Sequence, residues 1–109
     1  MVNLPAARAR AATPVRSEAA ALRMEVRLLQ QARVAVAQRD FGLAIQLLAE
    51  HARRFEAGRL AEEREALRVR ALASLGRRND ARRAASDFEA NFPRSPLLST
   101  VRQMLDSEP

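Results

Sequence analysis

Two parts of the chain match when one is shifted by 37 residues, and this internal repeat limits the possible folds. The shift places Ala44 on Ala81 and Phe55 on Phe92. Both parts show the same order of apolar stripe, tight turn, alanine, second apolar stripe and phenylalanine. A period of this length is typical of stacked helical hairpins, because a single hairpin cannot bury its own apolar face. The sequence therefore predicts a small array of hairpins.

The composition favours helices throughout the chain. Its 109 residues are 48% hydrophobic and 4% aromatic, with Ala, Leu and Arg dominant, whereas sheets favour aromatic and β-branched residues. Without cysteine, and with His51 as the single histidine, we predict no disulfide, no metal site and no cofactor. No run approaches the roughly 18 apolar residues of a membrane span, and no signal-peptide core is present at the start.

Apolar spacing and capping residues predict five helices preceded by an arm. Residues 1–16, rich in Ala, Arg and Pro, are expected to form a flexible basic arm or linker, and residues 17–106 a helical domain. Ser17 is the expected N-cap of a first helix of about 20 residues, whose predicted stripe is Leu22, Val26, Leu29, Ala32 and Val36. Within the domain we expect repeat one at 25–58, repeat two at 59–94 and a capping helix at 95–106.

Turn chemistry sets the remaining helix boundaries. Asp40 is expected to cap a second helix from about 41 to 55, and Gly58 lies in the connection that follows. Gly76 is suited to a left-handed turn that ends the third helix. We expect Asn79 and Asp80 to open the fourth helix, which ends before a proline. The expected cap and first residue of the fifth helix are Ser95 and Pro96.

The charge pattern permits two interpretations. All 19 basic residues are arginine and the net charge is +6, which suits a phosphate-binding surface. However, 13 acidic residues are interspersed at helical spacing, as is usual on solvated helices. The excess of positive charge is concentrated near the start of the chain, where one acid, Glu18, accompanies four arginines, Arg8, Arg10, Arg16 and Arg23. A small basic nucleic-acid-binding helical protein is therefore an alternative function, although acids among the arginines of the fourth helix make nucleic acid the less favoured partner.

The segment from Glu25 to Arg94 resembles two divergent tetratricopeptide repeats. The matching residues are Ala32, Phe41, Ala44 and Phe55 in the first repeat, and Gly76, Ala81, Phe92 and Pro93 in the second. It departs from that pattern at Arg39, where a turn glycine is usual, and at Glu56, where a proline is usual. More narrowly, the segment resembles the C-terminal repeat region of membrane-anchored bacterial envelope proteins, including regulatory proteins encoded beside sigma factors and Tol-Pal-associated periplasmic repeat proteins.

This resemblance implies a non-enzymatic scaffold for protein interactions, expected as the helical-repeat domain of a larger bacterial envelope or regulatory protein. It implies a periplasmic location, and without it the expectation is cytoplasmic. The expected partner is a protein or peptide, with an acidic peptide among the candidates, or a second copy of the chain. Contact with a membrane would come through an anchor outside this sequence or weakly through the basic arm.

The residues that could carry chemistry are sparse, and we predict no enzyme. The sequence has no second histidine and no cysteine that could join His51 in catalysis or metal binding, so a structural role is expected for His51. The carboxylates Glu62, Glu63 and Glu65 fall in the first turn of a predicted helix, where they complement the positive end of the helix dipole. We therefore predict no catalytic residue.

The first helices of stacked hairpins line a concave face in the family that the sequence resembles. This geometry would align Val26, Leu29, Arg33 and Val36 with Glu63, Ala66, Arg70 and Ala73. We predict a partner-binding surface formed by Val26, Leu29, Arg33, Val36, Arg70 and Ala73. Within it, Arg33 and Arg70 could clamp a carboxylate, because a guanidinium binds carboxylates with two parallel hydrogen bonds.

Overall fold

The computed structural model of the chain describes residues 3–56 and 60–106, with side chains from Glu18 onward. These residues form five helices and no strand: α1 (Asn3–Ala37), α2 (Phe41–Arg54), α3 (Ala61–Ser74), α4 (Arg78–Asn91) and α5 (Leu98–Asp106). Helices α1 and α2 form one hairpin, α3 and α4 form a second, and α5 packs against both α3 and α4. The prediction of an all-α fold built from two hairpins and a terminal helix is confirmed.

Gly76 ends the first helix of the second hairpin, as predicted. Its φ of +77° is left-handed, a conformation that glycine adopts without penalty. The N–H of Gly76 donates to the carbonyl of Ala73 at 3.0 Å, and the N–H of Arg77 donates to the carbonyl of Leu72 at 3.0 Å. These two bonds satisfy carbonyls that the helix end would otherwise leave free, which is the Schellman arrangement.

The first hairpin makes the same turn with an arginine in the left-handed position. Arg39 has a φ of +60° and lies 37 residues before Gly76. Its N–H donates to the carbonyl of Val36 at 3.0 Å, and the next N–H donates to the carbonyl of Ala35 at 2.8 Å. The 37-residue period is therefore present in the backbone, although the side chain at this position differs between the two hairpins.

The second helices also begin and end at equivalent places. Asp40 caps α2 as predicted, because its carboxylate accepts from the N–H of Leu43 at 3.4 Å. Phe55 and Phe92 are the C-caps of α2 and α4, with φ values of −135° and −133°. The α4 N-cap is Arg77, so α4 begins slightly before the predicted Asn79 and Asp80.

Small residues let the two helices of each hairpin approach closely. Ala44 and Ala81, which the repeat matches, are both fully buried. Phe88 is the largest fully buried side chain and lies in the core formed by α3, α4 and α5, together with Val101 of α5. Because both alanines are fully buried, a larger side chain at either site is expected to crowd its neighbours.

The first helix begins earlier than predicted. Helix α1 starts at Asn3, so Ser17 is inside the helix and is not its N-cap. Residues 3–16, predicted as an arm, form the first turns of α1, and the first two residues of that prediction lie outside the described residues. Ala and Arg are strong helix formers, and Pro5 falls in the first turn, where a helix needs no N–H donor. The combined helix preference of the Ala and Arg residues outweighs the free-energy cost of Pro14 inside the helix.

The buried stripe of α1 also differs from the predicted one. Leu22 and Val26 are 40% and 46% exposed, whereas Glu25 is buried. From Glu18 onward, the buried side chains of α1 are Glu25, Leu28, Leu29, Ala32, Ala35 and Val36. Helix α2 ends at Arg54, whose guanidinium lies 3.8 Å from the sulfur of Met24. The partner helix therefore ends near this point.

Helix α5 corresponds to the first part of α3 when the chain is shifted by one repeat. Leu98 follows Ala61, the first residue of α3, by 37 residues, and the buried Val101 corresponds in the same way to Arg64. Polar and exposed side chains cover its other side, at Ser99, Arg102 and Gln103. The predicted capping helix is therefore confirmed, but it begins at Leu98, so Pro96 lies in the turn before it and is not its first residue. Ser95 stabilises the preceding turn, since its hydroxyl accepts from the N–H of Leu97 at 2.9 Å.

Gly58, predicted in the connection between hairpins, lies outside the described residues.

Among the described residues, no helix combines the length and apolar character needed to cross a membrane.

Candidate functional site

A two-pronged ion pair joins the first helices of the two hairpins. The Nε of Arg33 on α1 lies 2.5 Å from Oε2 of Glu63 on α3, and a terminal nitrogen lies 2.6 Å from Oε1. The hydrogen bonds to Glu63 raise the pKa of Arg33. Both side chains are slightly more than one-third exposed, so the pair lies at the surface between α1 and α3. We call the surface that α1 and α3 share around this pair the groove.

Arg70 is also exposed on α3, but the structure does not bring it into the same pair. Among the described residues Arg70 has no hydrogen bond or ion pair. The guanidinium of Arg33, by contrast, already binds a carboxylate of its own chain. The predicted clamp of Arg33 and Arg70 therefore has one arginine without a carboxylate partner, and not two. Val26 lies seven residues before Arg33 and is exposed, which places it on the same side of α1.

The other three residues of the predicted binding surface lie in the hydrophobic core. Leu29, Val36 and Ala73 are 0%, 8% and 3% exposed, respectively. Their assignment to the binding surface is wrong, because the other helices of the two hairpins and α5 cover them. The groove therefore contains the pair of Arg33 and Glu63, with the exposed Val26 and Arg70 each seven residues away on the same helix faces.

The acidic residues at the start of α3 each have a specific partner. Glu62 and Glu63 lie in the first turn, as predicted. Glu62 accepts a hydrogen bond from the hydroxyl of Ser95, which ties α3 to the turn before α5. Glu63 binds Arg33, and Glu65 accepts from Nε of Arg64 at 2.6 Å. Glu62 and Glu63 therefore link elements of the fold in addition to lying at the positive end of the helix dipole. Glu65, which the sequence predicts in the first turn, lies beyond it, and its partners belong to its own helix.

A buried polar cluster lies where the two hairpins meet. His51 of α2 is fully buried, with Glu25 of α1 at 4% exposure and Arg64 of α3 at 7%. The Nε2 of His51 lies 3.4 Å from Oε2 of Glu25, and its Nδ1 lies 3.4 Å from a terminal nitrogen of Arg64. That nitrogen also donates to the carbonyl of Phe55 at 3.2 Å, and Glu25 accepts from the N–H of Leu60 at 3.3 Å.

Burial lowers the pKa of His51 below its ordinary value of 6.5, and this desolvation outweighs the opposing effect of Glu25. Arg64 lowers the pKa further, whereas Glu65 raises it. Nε2 of His51 is buried and makes no hydrogen bond of good geometry, unlike the other buried side-chain nitrogens and oxygens of the described residues. The cluster thus holds a neutral imidazole between a carboxylate and a guanidinium, which supports the structural role predicted for His51.

Sequence reasoning did not find this cluster, although two signals were present. The repeat matches His51 to the buried Phe88, which marks its position as internal. Glu25 lies four residues before Leu29 and seven before Ala32, so it shares their face of the helix. No comparable signal distinguishes Arg64 from the other arginines, because its burial depends on packing between hairpins.

The described residues contain no group of three His, Cys, Asp or Glu side chains that could hold a metal ion. Comparison of the chain with protein-family models, with curated proteins and with solved structures finds no match. The tetratricopeptide resemblance accordingly remains a prediction, and the observed fold is that of two helical hairpins and a terminal helix.

Proposed function

We propose that this chain is a non-enzymatic interaction module whose groove binds a protein or peptide partner. One observation carries the proposal: the two first helices lie side by side and expose both apolar and cationic groups along their shared surface. Val26 is 46% exposed on α1, and Arg70 is exposed on α3. An apolar contact combined with a directional charged contact is the usual basis of peptide recognition in a groove between helices.

The polar cluster and the capping helix fit a rigid scaffold. Helix α5 covers the end of the second hairpin with a polar outer side, as terminal elements of repeat arrays do. The ion pair of Arg33 and Glu63 fixes the relative position of α1 and α3. A groove whose walls are held in place binds at a lower entropic cost. The proposal extends to a module of a larger bacterial envelope or regulatory protein, on the resemblance described above.

The test is selection of peptides from a random displayed library, followed by binding assays on variants. Val26→Gln places a polar group in the groove, and the control Ala49→Gln makes a similar change at an exposed position of α2. We expect selected peptides to lose at least about tenfold in affinity with Val26→Gln and to keep it with Ala49→Gln. Failure to select any peptide, or equal binding by both variants, would contradict the proposal.

A second candidate function is nucleic-acid binding through exposed arginines of α4. Arg82 and Arg83 are exposed and have no ion pair among the described residues. Against this, the same helix carries the exposed acids Asp87 and Glu89. Polarisation of labelled duplex and single-stranded oligonucleotides, titrated from low to physiological salt, distinguishes the two functions. Binding that survives physiological salt and is lost with Arg82→Gln would favour nucleic acid over a peptide.

A further inference from the structure

Arg70 lacks the carboxylate partner that Arg33, its equivalent in the first hairpin, has. Arg33 on α1 binds Glu63 on the next first helix, α3. A shift of 37 residues turns this pair into Arg70 on α3 and Thr100 on α5. The shift is valid here because α5 starts 37 residues after α3. Thr100 is exposed and carries a hydroxyl in place of a carboxylate.

No other described residue compensates for this difference. The neighbours of Arg70 on its own helix, three and four residues away, are Ala66, Leu67, Ala73 and Ser74, and none is acidic. Arg70 has no hydrogen bond or ion pair within the described part of the chain. Its guanidinium therefore presents unused donors to the solvent in the groove. The chain as a whole is also basic, with a net charge of +6.

We infer that Arg70 binds a carboxylate supplied by an acidic peptide, which takes the place of the glutamate that the repeat omits at Thr100. This inference rests on the proposed groove and specifies the chemistry of its partner. Arginine and carboxylate form a pair of parallel, charge-assisted hydrogen bonds, and the contact of Arg33 with Glu63 shows this geometry in the same protein. Arg33 is not the residue assigned to the partner, because its Nε and one terminal nitrogen bind Glu63 and its other terminal nitrogen binds Gln30.

The test supplies the missing carboxylate within the chain. Thr100→Glu is expected to recreate the pair seen between Arg33 and Glu63 and so to occupy Arg70. Its matched control is Thr100→Gln, which has nearly the same size and no charge. The probe is a short fluorescein-labelled peptide of alanine, leucine and glutamate, compared with the same peptide carrying glutamine in place of glutamate. Fluorescence polarisation measures both affinities on the full chain.

We expect the wild-type chain to bind the glutamate peptide at least about tenfold more tightly than the glutamine peptide. Thr100→Glu should abolish that preference, and Thr100→Gln should leave it within about twofold. Arg70→Gln should also abolish the preference, whereas Arg83→Gln, which removes another exposed arginine, on α4, should not. Equal effects of the two Thr100 variants, or of the two arginine variants, would overturn the inference.

Releasing Arg33 gives an independent result in the opposite direction. Glu63→Gln frees the guanidinium of Arg33 in the groove and should strengthen binding of the glutamate peptide by about threefold or more. Glu89→Gln makes the same change of net charge on α4, outside the groove, and should have little effect. Selected peptides that depend on Val26 but show no need for a carboxylate would overturn this inference alone. A lack of any binding sensitive to Val26 would overturn the proposed groove as well.

Discussion

The left-handed turns at Gly76 and Arg39 allow the same backbone feature to be tested in both directions. A Cβ built on Gly76 meets nothing within 4 Å, so Gly76→Ala changes the backbone energy without a steric clash. A left-handed residue with a Cβ costs about 1–2 kcal/mol. Alanine recovers about 0.4–1 kcal/mol of this through the lower entropy of its unfolded chain. We therefore expect Gly76→Ala to lower the free energy of unfolding by about 1 kcal/mol.

The reverse change at Arg39 should have the opposite sign. The guanidinium of Arg39 lies 5.6 Å from the centre of the Phe41 ring, so its removal also loses a cation–π contact. Arg39→Ala is therefore the correct reference, because it lacks that contact and keeps the strained conformation. We expect Arg39→Gly to be about 1 kcal/mol more stable than Arg39→Ala.

Urea denaturation followed by far-ultraviolet circular dichroism measures these differences, provided that the slope against urea is unchanged. Gly42→Ala is the matched control, since Gly42 lies inside α2 with a helical backbone and with nothing within 4 Å of a Cβ. There the same substitution should stabilise the protein by about 0.5–1 kcal/mol. If Gly76→Ala stabilises the protein as Gly42→Ala does, the left-handed turn is not formed and the equivalence of the two hairpin turns is wrong.

Three further predictions concern the core. Phe88→Ala should cost about 3–5 kcal/mol because Phe88 is fully buried, and the half-buried Phe92 should give a smaller loss when truncated. Ala81→Leu should cost about 1–3 kcal/mol through overpacking, and an unchanged melting temperature would show that α4 does not pack closely at this point. His51 has a lowered pKa, so the unfolded chain binds its proton first and stability should fall as the pH drops below 6.5. His51→Phe should reduce that fall, measured as the difference in unfolding free energy between about pH 7.5 and about pH 5, and an identical fall in both proteins would contradict the assignment.

Much of the fold could be predicted because the signals were local. Asp40 and Gly76 mark a helix start and a helix end through backbone hydrogen bonds within a few residues, and both predictions are confirmed. The turn at Arg39 could be located only through the repeat, since arginine gives no local sign of a left-handed conformation. Helix α1 starts earlier than the sequence predicts, because the surrounding helix formers outweigh the two prolines.

The candidate site was harder to predict because it depends on which side chains other helices cover. Val26 and Leu29 are both apolar residues of α1, yet one is exposed and the other is fully buried. Apolar spacing alone does not separate them, because the outcome depends on which side of α1 the other helices pack against. In the same way the sequence showed two equivalent arginines but not that Glu63 binds Arg33 alone. Only the packing of α1 against α3 settles that choice.

The position of the buried polar cluster bears on how the protein unfolds. Arg64 at the start of the second hairpin binds the carbonyl of Phe55, the residue that ends the first, while Glu25 binds the N–H of Leu60. If either hairpin opened alone, the other would lose these hydrogen bonds together with the apolar contacts that join the two hairpins. Nearest-neighbour coupling in this array should therefore be strong compared with the intrinsic stability of each hairpin. We expect a single cooperative transition, with no populated species in which one hairpin is folded and the other is not.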